Sequence, residues 1–227
     1  MNGVTVCVPC YEQAEFLPIA LESVAEQTVA PLEVIVVDDG SPTQGVQIAA
    51  VAAKYGADCV RVQNRGLPNA RNVALGLARG DGFVPLDSDD WLDECYVEKT
   101  LPLLTDADVV CTGLQEHGAR SGVFMPGYNR ALSQVTVEAL QHTNLLYYCS
   151  LFKTSSLRRV GGWNGRMVHG WEDWALWRDV VARGWRFAEV REVLFHYLVR
   201  LDGMAYETDR RWQQWNHDEM ARHRLTA

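Results

Sequence analysis

The run Leu32-Glu33-Val34-Ile35-Val36-Val37, followed at once by Asp38-Asp39-Gly40-Ser41, decides how the chain folds. Almost every side chain of the run is apolar, so a strand built from it leaves no face for water. That is the composition of a parallel strand covered on both sides by helices. Two carboxylates stand directly at its C-terminal end. In open parallel sheets ligands bind beyond the carboxyl ends of the strands. One stretch therefore predicts both a sheet type and a binding place.

Strand and helix patterns alternate on either side of this run. Val4–Val8 is β-branched, and Glu15–Gln27 carries Phe16, Leu17, Ile19, Ala20, Leu21 and Val24 at helical spacing. Gln47–Tyr55 reads as a helix closed by Gly56, Cys59–Val62 as a strand, and Asn69–Ala78 as a helix stopped by Gly80. Gly82–Leu86 is a fourth strand. This order implies an α/β fold with a doubly wound, mostly parallel sheet flanked by helices and joined by right-handed crossovers. Its ligand edge would hold Pro9-Cys10-Tyr11-Glu12, Asp38-Asp39-Gly40-Ser41 and Asp87-Ser88-Asp89-Asp90. Beyond residue 105 the pattern is less regular. Ala107–Thr112 reads as a strand, Ser133–His142 and Ser155–Val160 as short helices, and Trp171–Arg183 as a helix ended by Gly184. Glu192–Leu201 reads as a strand and Glu207–Arg224 as a polar C-terminal helix.

The chain has 227 residues, 48% of them hydrophobic, and a formal net charge of -8. Its mean hydropathy is -0.14 and its sequence pI about 5.2. The length suits roughly one to two domains and needs no disulfide or metal staple. The acidic balance weighs against a nucleic-acid groove or an anionic membrane surface. No apolar stretch approaches the roughly 18–20 residues of a membrane span, and the first residues lack the order of a signal peptide. The expectation is a cytoplasmic protein, any contact with a membrane surface being made peripherally through Trp212 and Trp215 of the last helix. The six cysteines mostly lie in apolar runs and are expected as free thiols. All eight Trp lie beyond residue 90, so the aliphatic front and the aromatic back of the chain have different work.

Asp87, Asp89, Asp90, Asp93 and Glu94 crowd five carboxylates into eight residues. A helix N-terminus explains Asp93 and Glu94. It does not explain Asp87, which follows an apolar strand directly. Clustered carboxylates repel unless a cation joins them, and an oxygen-rich set with few ligands suits Mg2+ or Mn2+ bound together with a phosphate. Asp38-Asp39-Gly40 fits a β-turn, and equally an acceptor for the hydrogen bonds of a ribose or base. Glu172-Asp173 opens a helix, either as dipole compensation or as a general base set among Trp residues. Arg71 is either a solvated helix position or a group that meets an anion at the sheet edge. Cys7-Val8-Pro9-Cys10 has the layout of a thioredoxin-like redox site after a strand, half of a zinc site, or a pair of buried thiols. No G-x-G-x-x-G follows the first strand and no P-loop occurs, which disfavours a dinucleotide dehydrogenase.

Taken in order, these fragments resemble the inverting nucleotide-sugar glycosyltransferases of family 2, which have the GT-A fold with a Rossmann-like nucleotide-binding half. The resemblance runs from Val4 to about Tyr206. It is carried by Val6-Cys-Val-Pro-Cys-Tyr-Glu12, Glu33-Val-Ile-Val-Val-Asp-Asp-Gly-Ser41, Asn64-Arg-Gly66 with Ala70-Arg-Asn72, Leu86-Asp-Ser-Asp-Asp90, Val160-Gly-Gly-Trp163, and Gly170-Trp-Glu-Asp173. It implies one domain over 1–227, with a nucleotide-binding half (1–105), an acceptor and catalytic half (106–206) and a C-terminal helix (207–227). It implies nucleotide contacts from Pro9, Tyr11, Glu12, Asp39, Arg71 and Asp87, and a D-x-D motif in which Asp89, helped by Asp90, ligates Mn2+ or Mg2+. Asp173 would be the catalytic base, with Glu172 supporting it or orienting the acceptor. Arg200, after Tyr197, would close over the diphosphate, and His196 would be either a further metal ligand or a core residue. Trp163 and Trp171 would offer aromatic faces to the acceptor. The donor implied is a nucleoside-diphosphate sugar, UDP favoured over dTDP and GDP, and the acceptor a hydroxyl of undefined class, nucleic acid being disfavoured. The sequence departs from the family at Glu12, where Asn is usual, at Cys10, and at Ala74, where Gly is common. The alternatives are a thiol–disulfide oxidoreductase using Cys7 and Cys10, and a sugar-nucleotide-binding module without catalysis.

Overall fold

The computed structural model describes residues 1–126, 131–202 and 212–222. The front of the chain alternates β1 (Val4–Cys10), α1 (Leu17–Ala25), β2 (Glu33–Asp38), α2 (Gly45–Lys54), β3 (Asp58–Arg61), α3 (Leu67–Leu77) and β4 (Gly82–Pro85). The last four residues of β2 and all of β1 and β4 are buried, as near-continuous apolar runs require of a sheet covered on both faces. Then follow β5 (Trp91–Leu92), α4 (Tyr96–Thr100), β6 (Val109–Gly118), β7 (Gly122–Phe124), β8 (Leu151–Lys153), α5 (Thr154–Arg159), α6 (Glu172–Ala182), β9 (Phe187–Val199) and α7 (Gln213–Arg222).

The strands form one sheet in the order β3-β2-β1-β4-β8-β6-β9-β5, with β7 paired to β6. The front strands are mutually parallel. β8 runs antiparallel to both β4 and β6, while β9 runs parallel to β6 and antiparallel to β5. The sheet is thus mixed, parallel from β3 through β4. The chain winds from β1 outward to β3, then returns to place β4 on the other side of β1. This reversal puts the topological switch point between β1 and β4, where an open sheet forms its ligand crevice.

Each face of the sheet carries its own core. On one, Leu17, Leu21 and Val24 of α1 pack over Val4, Val6 and Val8. On the other, Ala70, Ala74 and Leu75 of α3 and Leu176, Trp177 and Val180 of α6 cover Ile35, Val37, Phe83 and Phe152. The β6–β9 pairing shifts register around Gly113. A Cβ there would lie 2.7 Å from the Glu192 carbonyl oxygen, so only glycine lets the irregular strands approach this closely.

Several expectations are corrected. Ser133–His142 is not a helix but two 3-10 turns, Leu132–Gln134 and Ala139–Gln141. The Thr136 hydroxyl accepts the Ala139 N–H at 3.2 Å, a side-chain bond that competes with helix propagation. The strand expected at Glu192–Leu201 begins at Phe187, because pairing with β6 starts at Val109 opposite Phe187. The short strands β5, β7 and β8 are additions. Of the helix expected over Glu207–Arg224, residues 207–211 and 223–224 lie outside the described residues. Among the described residues no helix is long and apolar enough to cross a membrane.

Candidate active site

A cleft of about 450 Å³ opens at the switch point. Pro9, Tyr11, Asp39, Asp87, Asp89 and Arg200 line it, together with Tyr197 and Arg120. Six expected nucleotide, metal and diphosphate residues, far apart in the sequence, thus meet in one place. Asp39 accepts the backbone N–H groups of Arg65 and Gly66 at 3.0 and 2.8 Å. It therefore orders the loop that opens α3 while facing the cleft, and burial pushes its carboxyl up.

Glu12 departs from its expected contact with the nucleotide. Its carboxylate accepts the Thr43 and Gln44 N–H groups at 2.9 and 3.2 Å and the Thr43 hydroxyl. These are free donors at the N-terminus of α2, and the bonds hold its carboxyl below the usual range. Glu12 is a cap that ties the first loop to α2.

Arg71 is also placed differently. It lies on the same helical face as Leu67, Ala74 and Leu75 and is fully buried. Nη1 donates to Glu172 Oε1 and Nη2 to Asp87 Oδ1, each at 2.7 Å. The guanidinium is flanked by the rings of Tyr148 at 4.7 Å and Trp163 at 5.7 Å. The guanidinium, expected at the nucleotide, is instead engaged by the chain itself and joins the Asp87–Asp90 loop to α6.

The acidic loop sorts its carboxylates by direction. Asp87 and Asp89 face the cleft. Burial, and then the neighbouring Asp87 charge, push Asp89 up to about 6, while Arg200, at 3.2 Å, opposes the shift. Asp90 turns the other way and is fully buried. It accepts the Tyr148 hydroxyl and the Leu198 N–H, so it anchors β9 and is not available as a metal ligand. Tyr148 Oη also accepts the Asp87 N–H at 3.0 Å. His196 lies apart from the cleft, 3.1 Å from His117 and stacked on Trp91, which is a packing role.

Among the described residues no three His, Cys, Asp or Glu side chains group to hold an ion. Beside Arg200 the cleft offers the carboxylates of Asp87 and Asp89, and the Asp87 charge disfavours ionisation of Asp89. Such a donor set fits Mg2+ or Mn2+ taken with a diphosphate, because these ions draw most of their oxygens from phosphate and water.

Glu172 and Asp173 open α6 behind Trp171, which adopts φ 61 and ψ 14. A left-handed conformation is rare for so bulky a residue and marks a constrained turn. Burial raises both carboxyls; Arg71 opposes the rise at Glu172, and the Trp174 N–H and Asn144 amide oppose it at Asp173. Asp173 is half-buried and lies outside the cleft lining, linked to it through Glu172, Arg71 and Asp87. Trp171 is half-buried against Trp174 and His217. Trp163 is corrected: it is 3% exposed, packed on Phe83 and Phe152, and presents no face to an acceptor.

The redox alternative fails on strand geometry. Cys7 and Cys10 both lie in β1, three positions apart, so their side chains enter opposite cores. Burial pushes the Cys10 thiol up to about 12 and Cys7 further still, away from a reactive thiolate. Asn144, Tyr148 and Arg120 do not stand out as site residues in the sequence. Asn144 and Tyr148 sit in a segment without periodicity; only the charge of Arg120 gave a signal.

The fold and its acidic, switch-point cleft define a GT-A type α/β protein. The profile of glycosyl transferase family 2 matches residues 5–161. The chain belongs to this family. The match stops short of Glu172 and Asp173. Relatives include glycosyltransferase GlyA of Streptococcus pneumoniae, 27% identical over 69% of this chain and 23% of that protein. The minor teichoic acid biosynthesis protein GgaB of Bacillus subtilis is 28% identical over 94% of this chain and 25% of its own length. The chain thus spans about a quarter of these two relatives. In structure it resembles S. aureus TarS 1–349 in complex with UDP-GlcNAc, with a TM-score of 0.74, 22% identity, and coverage of 89% of this chain and 60% of that one. It also resembles the mannosyltransferase PcManGT of Pyrobaculum calidifontis in complex with GDP-Man and Mn2+, with a TM-score of 0.70, 23% identity, and coverage of 99% and 65%.

Proposed function

We propose that this chain transfers a sugar from a nucleoside-diphosphate donor to an acceptor hydroxyl with inversion, Asp173 acting as general base. The observation that carries the reading is the division of the acids. Asp39, Asp87 and Asp89 line the cleft together with Arg200, while Asp173 opens α6 outside that lining, next to Glu172, which Arg71 ties to Asp87. In a single displacement the nucleophile attacks opposite the leaving group. The base therefore belongs on the far side of the sugar from the diphosphate, not within the nucleotide cleft.

On this reading Asp39 and Tyr11 hold the base, Asp87 the ribose and Arg200 the diphosphate. Asp89 is the metal ligand, and Mn2+ or Mg2+ when bound offsets the charge growing on the leaving diphosphate. Asp173 takes the hydroxyl proton as the new bond forms; its raised proton affinity suits it to that transfer. Trp171 offers a face to the acceptor. Residues 1–105 would supply most of the donor contacts and 106–206 the acceptor side, with Arg200 reaching back to the diphosphate. A UDP-sugar is favoured, supported by the TarS complexes with UDP and UDP-GlcNAc; a GDP-sugar is the second choice, after the GDP-Man complex. The six free cysteines suit a reducing, cytoplasmic setting. The test is a panel of nucleotide sugars with Mn2+, read by release of nucleoside diphosphate and by calorimetry. Metal-dependent turnover of one donor is expected. Binding without turnover of any donor, with a hydroxyl acceptor mixture present, contradicts the reading.

A further inference from the structure

The cleft and the head of α6 are built by distant parts of the chain, and one side chain joins them. Arg71 is 16 residues from Asp87 and 101 from Glu172. Its guanidinium has no exposed surface, and it is absent from the cleft lining. Each terminal nitrogen is committed to one carboxylate, and Nε has no hydrogen-bond partner. Burying a charge is costly unless it is paired, and leaving a donor unpartnered adds to the cost. Apolar side chains at both position 71 and its buried partner Glu172 would avoid both costs. The arrangement therefore holds something that packing alone would not.

We propose that Arg71 is a positioning residue that seats the Glu172–Asp173 pair against the donor-holding Asp87, so that the base and the bound donor share one reference point. This rests on the proposed transfer reaction. The planar fork is suited to the task, because it fixes the direction of two carboxylates at once, which a lysine ammonium does not. Tyr148 supports the fork: its ring lies on the guanidinium, and its hydroxyl binds the Asp87 N–H and Asp90. Asn72, the next residue of α3, exchanges two bonds with the Trp163 backbone at 2.7 and 2.9 Å. α3 is thereby fixed to the segment that leads into α6. Arg71 adds the electrostatic part of the same registration.

The test is Arg71→Lys, with Glu172→Gln as a second variant that keeps volume and an acceptor oxygen for Nη1 should the first fail to fold. Three readouts are taken: UDP affinity by calorimetry, kcat, and KM for the donor. Positioning predicts kcat lower by about a hundredfold or more, as small misplacements of reacting groups cause, with UDP Kd and donor KM within about threefold of the parent. Unchanged kcat in a folded variant overturns the proposal. So does loss of UDP affinity in parallel with kcat, which would make Arg71 a donor contact. If the parent protein itself turns over no nucleotide sugar, it is the transfer reading that fails. UDP affinity lost in the folded Arg71→Lys variant would still count against Arg71 as a pure positioning group.

Discussion

The Nδ2 amide of Asn144 donates to Asp173 Oδ2 at 2.9 Å, while the Trp174 N–H holds Oδ1 at 2.7 Å. Both bonds favour the ionised carboxylate, against a burial that disfavours it. Removing Asn144 leaves burial less opposed, so the proton affinity of Asp173 rises further. A general base works only when ionised; with Asp173 in that proposed role, activity is present above its folded-state pKa and lost as pH falls through it. Asn144→Leu should therefore move the acid limb of the kcat/KM profile to higher pH. Glu172, Arg71 and Tyr197 interact with the same group and are unchanged in this variant. An acid limb that stays in place would mean that Asn144 does not act on the base.

Asp89 and Asp90 are adjacent, yet they should fail in opposite ways. Asp89→Ala removes a cleft carboxylate and should abolish metal-dependent turnover with little change in Tm. Asp90→Ala strands the Tyr148 hydroxyl and the Leu198 N–H in a buried setting, at a cost of about 2–4 kcal/mol. Its signature is a lowered Tm. Thermal unfolding beside Mn2+ titration separates the two, and the reverse pattern would assign the wrong carboxylate to the metal.

The two Trp residues first paired as acceptor platforms should also separate. Trp163→Ala empties a packed site and should cost about 3–5 kcal/mol. Trp171→Gly keeps a left-handed backbone that glycine adopts freely. The relieved backbone strain offsets part of the lost contact with Trp174 and His217, so Tm should fall less than in Trp163→Ala while acceptor KM rises severalfold. Unchanged acceptor KM would remove Trp171 from the acceptor surface.

Cys7 and Cys10 should resist alkylation in the folded protein and react only after unfolding. Mass spectrometry of iodoacetamide-treated protein, with and without denaturant, reads this directly. Rapid native labelling of either, or a disulfide between them, would contradict their placement in opposite cores.

The parallel front of the chain was legible because its signals are local. Leu32–Val37 shows strand burial by composition, and Asp39, Asp87 and Asp89 announce themselves by standing at strand ends. What escaped depends on direction and distance. Adjacency in Asp87-Ser88-Asp89-Asp90 does not say which carboxylate turns inward; the Asp90 N–H to Asp87 carbonyl turn decides it. Arg71 reads as solvated in isolation, although Leu67, Ala74 and Leu75 on its face mark it as a buried cation that needs acids. Asn144 and Tyr148 lie where backbone turns replace periodicity, so only the folded chain brings them to Asp173 and Asp90. The antiparallel β8 is three residues long, too short for any period to show.

The central claim is that Asp173 takes the acceptor proton. Its most direct test is Asp173→Asn, which keeps shape and the Trp174 contact but cannot act as a base, assayed with the donor that the parent turns over. UDP or GDP affinity is expected within about threefold of the parent and sugar transfer lower by at least about a hundredfold, the scale of one catalytic acid–base group. Transfer at the parent rate by the folded variant would contradict it.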